Sequence, residues 1–214
     1  MSKLFFAKKF LIIFFLSIFS YMAKEIRLEI KTNYNLYTTL LKKRKTAPKE
    51  QILIVNPKIS NKNYLENIFV ISHSTLPNSI DFIVTVKAIN RKYFSFKLKC
   101  RELSEKPFFG YDSDGATHRN EKENIPLIEQ MVSTPHFNYY DEDGQRMAYK
   151  SEKLKDEKET LALEDINLSI VHYCHEANVR YNTEDYPQCK FKEDLFSELD
   201  INDMVDPNLN VQFT

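Results

Sequence analysis

The residue types that could cleave RNA without a metal ion occur together in one stretch of the chain, residues 107–150. His118 and His136 could supply the base and the acid, because an unperturbed imidazole titrates near neutral pH. Arg119 and Arg146 could hold the phosphate, because a guanidinium presents two parallel donors to an anion. Carboxylates and phenols complete the set: Asp112, Asp114, Tyr139 and Tyr140. These spacings fix no geometry, so the same histidines could instead bond the backbone and hold a loop.

All three glycines of the chain, Gly110, Gly115 and Gly144, fall in this stretch. Glycine adopts backbone conformations that other residues resist, so a chain this poor in glycine has concentrated its special geometry in one place. Residues 107–150 are therefore the best candidate for a functional site.

Two metal-binding interpretations compete with the RNA interpretation. His118 and His136 with an aspartate could hold a divalent ion, but no tight ligand spacing supports such a site. His172 and His175 share a helix face and could bind zinc with Cys189, but closed zinc sites usually pair their ligands on both sides. Core and helix-end positions explain these residues better, and we expect neither a metal nor a cofactor.

Several enzyme classes are disfavoured by the motifs of the chain. It has no phosphate-binding glycine loop, no G-x-S-x-G motif and no HExxH motif. Kinases, α/β-hydrolases and zincins are recognised by those patterns, so the sequence argues against all three.

The net charge of the 214-residue chain is zero, but its two halves differ strongly. Residues 1–110 carry 20 Lys and Arg against 7 Asp and Glu, whereas residues 111–214 carry 10 against 23. Such polarity is typical of halves that face each other, or of a basic face that meets an anionic partner while an acidic tail competes. Solvated surface is the alternative, and we expect the basic run at residues 42–45 to be a solvated loop.

The first residues permit two interpretations. Lys8 and Lys9 precede an apolar run at residues 10–19, which is the pattern of a signal peptide and is too short for a stable membrane span. Alternatively, Met22 begins the protein, and residues 1–21 are upstream codons included in the frame. An odd number of cysteines, 3, implies no disulfide framework and fits a reducing compartment. We expect a cytoplasmic protein if translation starts at Met22, and an exported one if residues 1–20 act as a signal.

Hydrophobic patterning predicts one α+β domain over residues 22–190, followed by an acidic tail at residues 191–214. Strands are predicted at residues 51–55, 67–72, 80–86, 93–100, 135–140 and 146–150. Residues 24–43 are expected to be helical or mixed, and residues 164–177 form the best helix. The fold class is therefore an antiparallel sheet of about five or six strands with a helix packed on one face. Within residues 135–140, alternation puts His136, Asn138 and Tyr140 on one face.

The pattern Gly115-Ala-Thr-His118-Arg-Asn120, then Pro135-His136-Phe-Asn138-Tyr-Tyr140, then Met147-Ala-Tyr149 resembles a family of small uncharacterised bacterial proteins. That family has the block G-x-x-H-x-N, P-H-x-H-x-Y and W-A-Y. A similar paired-histidine block occurs in TumE-like toxins of toxin–antitoxin modules. The resemblance covers about residues 80–180 and implies a cytoplasmic protein associated with mobile elements. It adds Asn120 and Tyr140 to His118 and His136 as candidate functional positions.

The chain departs from that pattern at two positions. Asn138 stands where the family has its second histidine, and Met147 stands where it has tryptophan. The first departure removes a titratable group, which favours a binding protein with a degenerate site over a shared catalytic mechanism.

The residues and the resemblance together predict a toxin-like protein that acts on RNA through a paired-histidine site. Its candidate catalytic residues are His118, Arg119, His136 and Tyr140. The expected partner is RNA or an antitoxin-like protein, and no stable membrane span is expected. The alternatives are a non-enzymatic binding module, in which the histidines are structural, and a secreted protein with a signal peptide.

Overall fold

The computed structural model describes residues 26–77 and 79–191. The signal-like segment at residues 1–21 lies outside these residues, as does the predicted acidic tail beyond residue 191. The helices are α1 (Leu28–Thr32), α2 (Tyr34–Lys42), α3 (Leu127–Gln130), α4 (Glu152–Lys155), α5 (Glu157–Ala162) and α6 (Ile166–Glu176). The first seven strands are β1 (Lys45–Thr46), β2 (Gln51–Ile54), β3 (Asn56–Lys58), β4 (Asn61–His73), β5 (Ile80–Lys87), β6 (Phe94–Lys99) and β7 (Phe109–Asp112). The remaining strands are β8 (His118–Arg119), β9 (Met131–Val132), β10 (His136–Tyr140), β11 (Arg146–Tyr149), β12 (Val179–Arg180) and β13 (Gln188–Phe191).

The main sheet has 9 strands, in the order β11-β10-β7-β6-β5-β4-β1-β12, with β3 paired to β4. It is antiparallel except for the parallel pair β1–β12, and it curls into a half-barrel. The α+β class is confirmed, but the expectation of five or six strands is wrong. Strands of two or three residues, such as β1, β3 and β12, are too short to show alternation in the sequence. Strand β7 was missed because Gly110 interrupts its apolar pattern.

The inner face of this sheet is apolar, because alternate residues of each strand point to the same side. Helix α6 packs on that face through Tyr173, which is fully buried. The Tyr173 ring centroid lies 5.5 Å from that of Phe82, 5.4 Å from Phe96 and 5.5 Å from Phe109. Burial of each large side chain of this kind contributes about 1.5–3 kcal/mol to folding. The aromatic layer therefore fixes the position of the central strands, and the opposite face of these strands carries the polar residues.

The end of α2 is closed by a buried lysine. Lys45 has no exposed surface, and its Nζ donates to the carbonyls of Leu40 at 2.6 Å, Leu41 at 3.0 Å and Lys43 at 2.7 Å. The last carbonyls of a helix have no partner within the helix, so a cation placed there satisfies them. Burial lowers the pKa of Lys45 to about 7. The expectation that the whole basic run is a solvated loop is therefore wrong at Lys45.

Within residues 26–77 and 79–191, no helix has both the length and the apolar character needed to span a membrane.

Candidate functional site: a basic cleft beside a histidine pair

The outer face of the sheet carries a compact set of polar side chains on β6, β7, β10 and β11. The strand register places Asp112 opposite His136, and Gly110 opposite both Lys97 and Asn138. Because side chains alternate along each strand, these residues share one face, away from the aromatic layer. This confirms the predicted common face of His136 and Asn138.

Asp112 is the centre of this set. Its carboxylate accepts a 2.8 Å hydrogen bond from the Asn138 amide nitrogen. Arg146 Nη2 lies 3.8 Å and Lys97 Nζ lies 3.9 Å from the same carboxylate. Both cation distances are long, so Asp112 orients the cations while leaving most of their donors for another anion.

The structure brings His118 and His136 together, as the paired-histidine interpretation requires. Their ring centroids lie 6.2 Å apart with an edge-to-face angle of 62°. His118 Nε2 lies 3.2 Å from the Arg146 carbonyl, which assigns the proton to that nitrogen. His136 is only 3% exposed, and its Nδ1 has no hydrogen-bond partner in the described part of the chain. The Ser133 backbone still lies near enough to favour the charged His136 ring.

Both imidazoles are held in the neutral form. Burial lowers the pKa of His118, and the positive charge of Arg146 lowers it further. Burial also lowers the pKa of His136, although the Asp112 carboxylate opposes that shift. Neutral imidazoles can accept a proton near pH 7, so each ring can act as a base or a hydrogen-bond acceptor.

A cleft of about 290 Å³ opens on this face, and four cations line it: Arg27, Lys97, Lys106 and Arg146. Its remaining lining residues are Pro107, Phe109, Gly110, Asn138 and Tyr140, so no carboxylate is among the described residues that form its wall. Its volume is at the lower end of the range of ligand pockets, which suits one phosphate and its sugar. Low-dielectric walls with one sign of charge concentrate anions from solution.

Gly144 places Arg27 at this cleft. It adopts a φ of 72° in the turn between β10 and β11, and its carbonyl accepts a 2.8 Å hydrogen bond from the Arg27 backbone. A Cβ at this position would lie 2.3 Å from the Arg27 carbonyl oxygen. Only glycine therefore permits both the turn and the close approach of the segment that carries Arg27.

Two of the predicted residues have other partners in the structure. Arg119 is exposed, and its Nε donates to Gln130 at 3.1 Å, while Arg146 lies beside the histidines instead. Asn120 forms a 2.7 Å hydrogen bond with both the N–H and the carbonyl of Ala148. Strand β11 is the edge of the sheet, so Asn120 occupies the backbone groups that a further strand would take.

Tyr140 is buried at the wall of the cleft, with its backbone N–H donating to the Tyr37 hydroxyl at 2.9 Å. The candidate residues predicted from sequence did not include Arg27, which comes from a segment far from the histidine block, or Lys106, which directly precedes residues 107–150. Lys97 and Lys99 alternate along β6 on its outer face, and only Lys97 reaches the cleft. Lys99 bonds Glu105 instead, at 3.1 Å.

No group of three or more histidines, cysteines and carboxylates in the described ranges is arranged to hold a metal ion. His172 is buried, whereas His175 is 67% exposed, so the two do not share one environment.

No family model, no curated protein and no solved structure matches this chain. The class that fold and site define is an α+β protein with a phosphate-sized basic cleft on the outer face of its sheet.

Proposed function

We propose that the protein binds single-stranded RNA, with a backbone phosphate in the cleft lined by Arg27, Lys97, Lys106 and Arg146. The observation that carries this proposal is the combination of four cations and no carboxylate in one concave wall. Phosphate contacts with Lys and Arg supply most of the sequence-independent affinity for nucleic acids. A cleft of about 290 Å³ suits a flexible single strand better than a duplex, whose phosphates are spread over a broad surface.

Asn138 supports RNA over DNA as the ligand. Its Nδ2 donates to Asp112, while its Oδ1 is buried at the cleft without a donor among the described residues. The amide cannot be reversed without turning its oxygen toward the Asp112 carboxylate. A ribose 2′-hydroxyl is a donor that would satisfy Oδ1 once ligand binding moves the wall that covers this buried atom, and DNA has no such group.

The test is fluorescence anisotropy with a short labelled single-stranded RNA at increasing salt concentration. One phosphate bound in the cleft predicts a slope of about −0.7 in log K against log salt, the value for one contact on a single strand. Lys97→Gln is expected to weaken binding about tenfold. Lys99→Gln is the matched control, because Lys99 lies on the same strand and bonds Glu105 outside the cleft. Equal effects of the two substitutions, or binding that salt does not weaken, would remove the basis for this proposal.

A second candidate function, cleavage of the bound RNA, is favoured by the proximity of His118 and His136 beside Arg146. One neutral imidazole would take the 2′-hydroxyl proton, the other would have to enter the cycle in its less populated protonated form to protonate the leaving 5′-oxygen, and Arg146 would stabilise the phosphorane charge. We propose binding before cleavage because His136 is deeply buried and has little access to RNA. A 2′,3′-cyclic phosphate on the product, absent with His136→Asn although RNA still binds, would establish cleavage. Intact RNA after the wild-type reaction would exclude cleavage, and RNA binding would remain as the proposed function.

The toxin-like expectation, with an antitoxin-like partner in the cytoplasm, belongs with the cleavage candidate. Its test is induction of the chain from Met22 in growing cells, beside His136→Ala. Growth arrest with RNA degradation in the wild type alone supports it. Normal growth with both chains, folded to the same extent, argues for the binding module and for a structural role of the histidines.

A further inference from the structure

A second polar site lies on the other face of the sheet, where the chain leaves β11 and meets α6. Ser151 Oγ lies 2.8 Å from His172 Nε2, and both side chains are largely buried. The His172 ring is edge-on to Phe137 at 5.3 Å, which fixes its orientation. A serine and a histidine within hydrogen-bond reach are the first requirement of an activated nucleophile.

The direction of this hydrogen bond suits nucleophilic attack. Ser151 caps α4, and its Oγ already accepts the Leu154 N–H at 3.4 Å. In the tautomer with Nε2 unprotonated, the Ser151 hydroxyl donates to His172 Nε2, and nucleophilic attack requires that tautomer. Burial lowers the pKa of His172, so the ring is in the base form near neutral pH.

Glu176 supplies the third group of the arrangement. It lies one turn after His172 on α6, where positions four residues apart share a face. The Tyr149 hydroxyl donates to Glu176 Oε2 at 2.9 Å and holds the carboxylate in place. The negative charge of Glu176 raises the pKa of His172 against the effect of burial, and it would stabilise the imidazolium that forms during attack.

The pair opens on a pocket of about 400 Å³, large enough for a small ligand. Its wall contains Ser151 and His172 together with the apolar surfaces of Val171 and Tyr186. Neither the RNA cleft nor the residues assigned to it take part in this pocket, so the site stands independently of the proposed function.

We propose that Ser151 is the nucleophile of a second site, which takes the acyl group of a small carboxylic ester. Ser151 Oγ forms a bond to the ester carbonyl carbon while its proton passes to His172 Nε2. The ester C–O bond then breaks, and the alcohol leaves with that proton. Water repeats the sequence on the acyl-serine, giving the free acid and restoring the hydroxyl. Glu176 acts as a positioning residue for His172.

The test uses the folded chain and a fluorophosphonate probe, which forms an Oγ–P bond and releases fluoride. One adduct, mapped to Ser151, is expected on the wild type and on the control Ser74→Ala, whose serine is exposed. Neither Ser151→Ala nor Ser151→Asn should react. Ser151→Asn keeps a capping oxygen for Leu154 and an N–H donor for His172, so loss of labelling there cannot be attributed to unfolding. An unlabelled wild type, or an adduct on another residue, would overturn the proposal.

Hydrolysis of p-nitrophenyl acetate separates the role of Glu176 from a structural one. Ser151→Asn is expected to lower the rate at least about 100-fold, in line with removal of a nucleophile. Glu176→Gln should shift the rising limb of the pH–rate profile to lower pH, because the charge that raises the His172 pKa is gone. A profile that falls equally at every pH would contradict a positioning role.

Discussion

Two of the regions that bury polar atoms in this protein, the end of α2 and the outer face of the sheet, satisfy those atoms to opposite extents. At the end of α2, the ammonium of Lys45 is enclosed and satisfied by three backbone carbonyls. On the outer face, Asn138 Oδ1 is also buried, yet it has no hydrogen-bond partner in the described ranges. Nearly all buried polar groups in folded proteins are paired, so this oxygen is an exception that requires an explanation.

The difference separates a structural polar site from a binding one. An unpaired buried donor or acceptor costs about 1–3 kcal/mol, and a fold keeps it only where something is gained. Lys45 gains the closure of a helix end. Asn138 Oδ1 gains no partner within the described chain, but Asn138 lines the cleft together with four cations that attract an anion. We interpret Asn138 as a ligand-facing acceptor of the cleft.

The largest expected effect comes from removing two of those cations. Lys97→Gln combined with Arg146→Gln should weaken RNA binding about 100-fold, because both cations would contact the one phosphate that the cleft holds. Folding stability should stay within about 0.5 kcal/mol, because both side chains are partly exposed and their ion pairs are long. Anisotropy and urea unfolding of the same preparation check both statements. An unfolded double variant would show that Lys97 and Arg146 stabilise the fold, which would contradict their assignment as ligand-binding residues.

Lys45→Met should lower stability without changing RNA affinity, the reverse of the double variant. It leaves three buried carbonyls without their donor, so we expect a loss of about 1–3 kcal/mol in unfolding free energy. The pKa of Lys45 falls from 10.5 unfolded to about 7 in the fold, so the unfolded chain binds more protons between these values. Wild-type stability should therefore rise with pH above about 7. That rise should be absent in the variant, and urea midpoints from pH 7 to pH 8.5 measure the difference.

Lowering the pH should reduce the stability of the fold, because its buried neutral histidines take up protons on unfolding. Burial lowers the pKa of His73, His118, His136 and His172 below the ordinary value of 6.5. Each ring is neutral in the fold and takes up a proton on unfolding, so stability is lost as the pH falls through 6.5. Each proton taken up on unfolding contributes a slope of at most about 1.4 kcal/mol per pH unit. Urea midpoints at decreasing pH should fall, and His136→Asn should reduce that fall; a flat wild-type profile would contradict the buried, neutral rings.

The smallest expected effect is that of Asn138→Leu on stability. Leucine has a similar volume and removes the unpaired oxygen, which compensates for the lost hydrogen bond to Asp112. We expect a change within about 1 kcal/mol, and in either direction it should be smaller than that of Lys45→Met. A loss of several kcal/mol on thermal or urea unfolding would place Asn138 with Lys45 as a structural residue.

Local patterning predicted the face of β10 correctly, because a period of two is a property of the strand itself. It placed His136 and Asn138 together and identified α6 through its apolar stripe. These features depend only on neighbouring residues.

What the patterning did not predict depends on contacts between distant segments. Arg27 reaches the cleft only because a turn more than a hundred residues away accepts its backbone, and Asn120 meets the sheet edge in the same manner. A run of four basic residues does not reveal that Lys45, unlike its neighbours, closes a helix. Ser151 and His172 meet only when α6 packs on the sheet, so no spacing in the chain indicates their hydrogen bond.

The most direct test of RNA recognition through Asn138 measures the affinities of the wild type and of Asn138→Leu for RNA and for DNA of the same sequence. If the unpaired Asn138 oxygen accepts a 2′-hydroxyl, the wild type should bind RNA about tenfold more tightly than DNA, as expected for one hydrogen bond of about 1.4 kcal/mol. Asn138→Leu should bind both equally and retain the salt slope. Equal binding of RNA and DNA by the wild type, or a preference that survives in Asn138→Leu, would contradict the account.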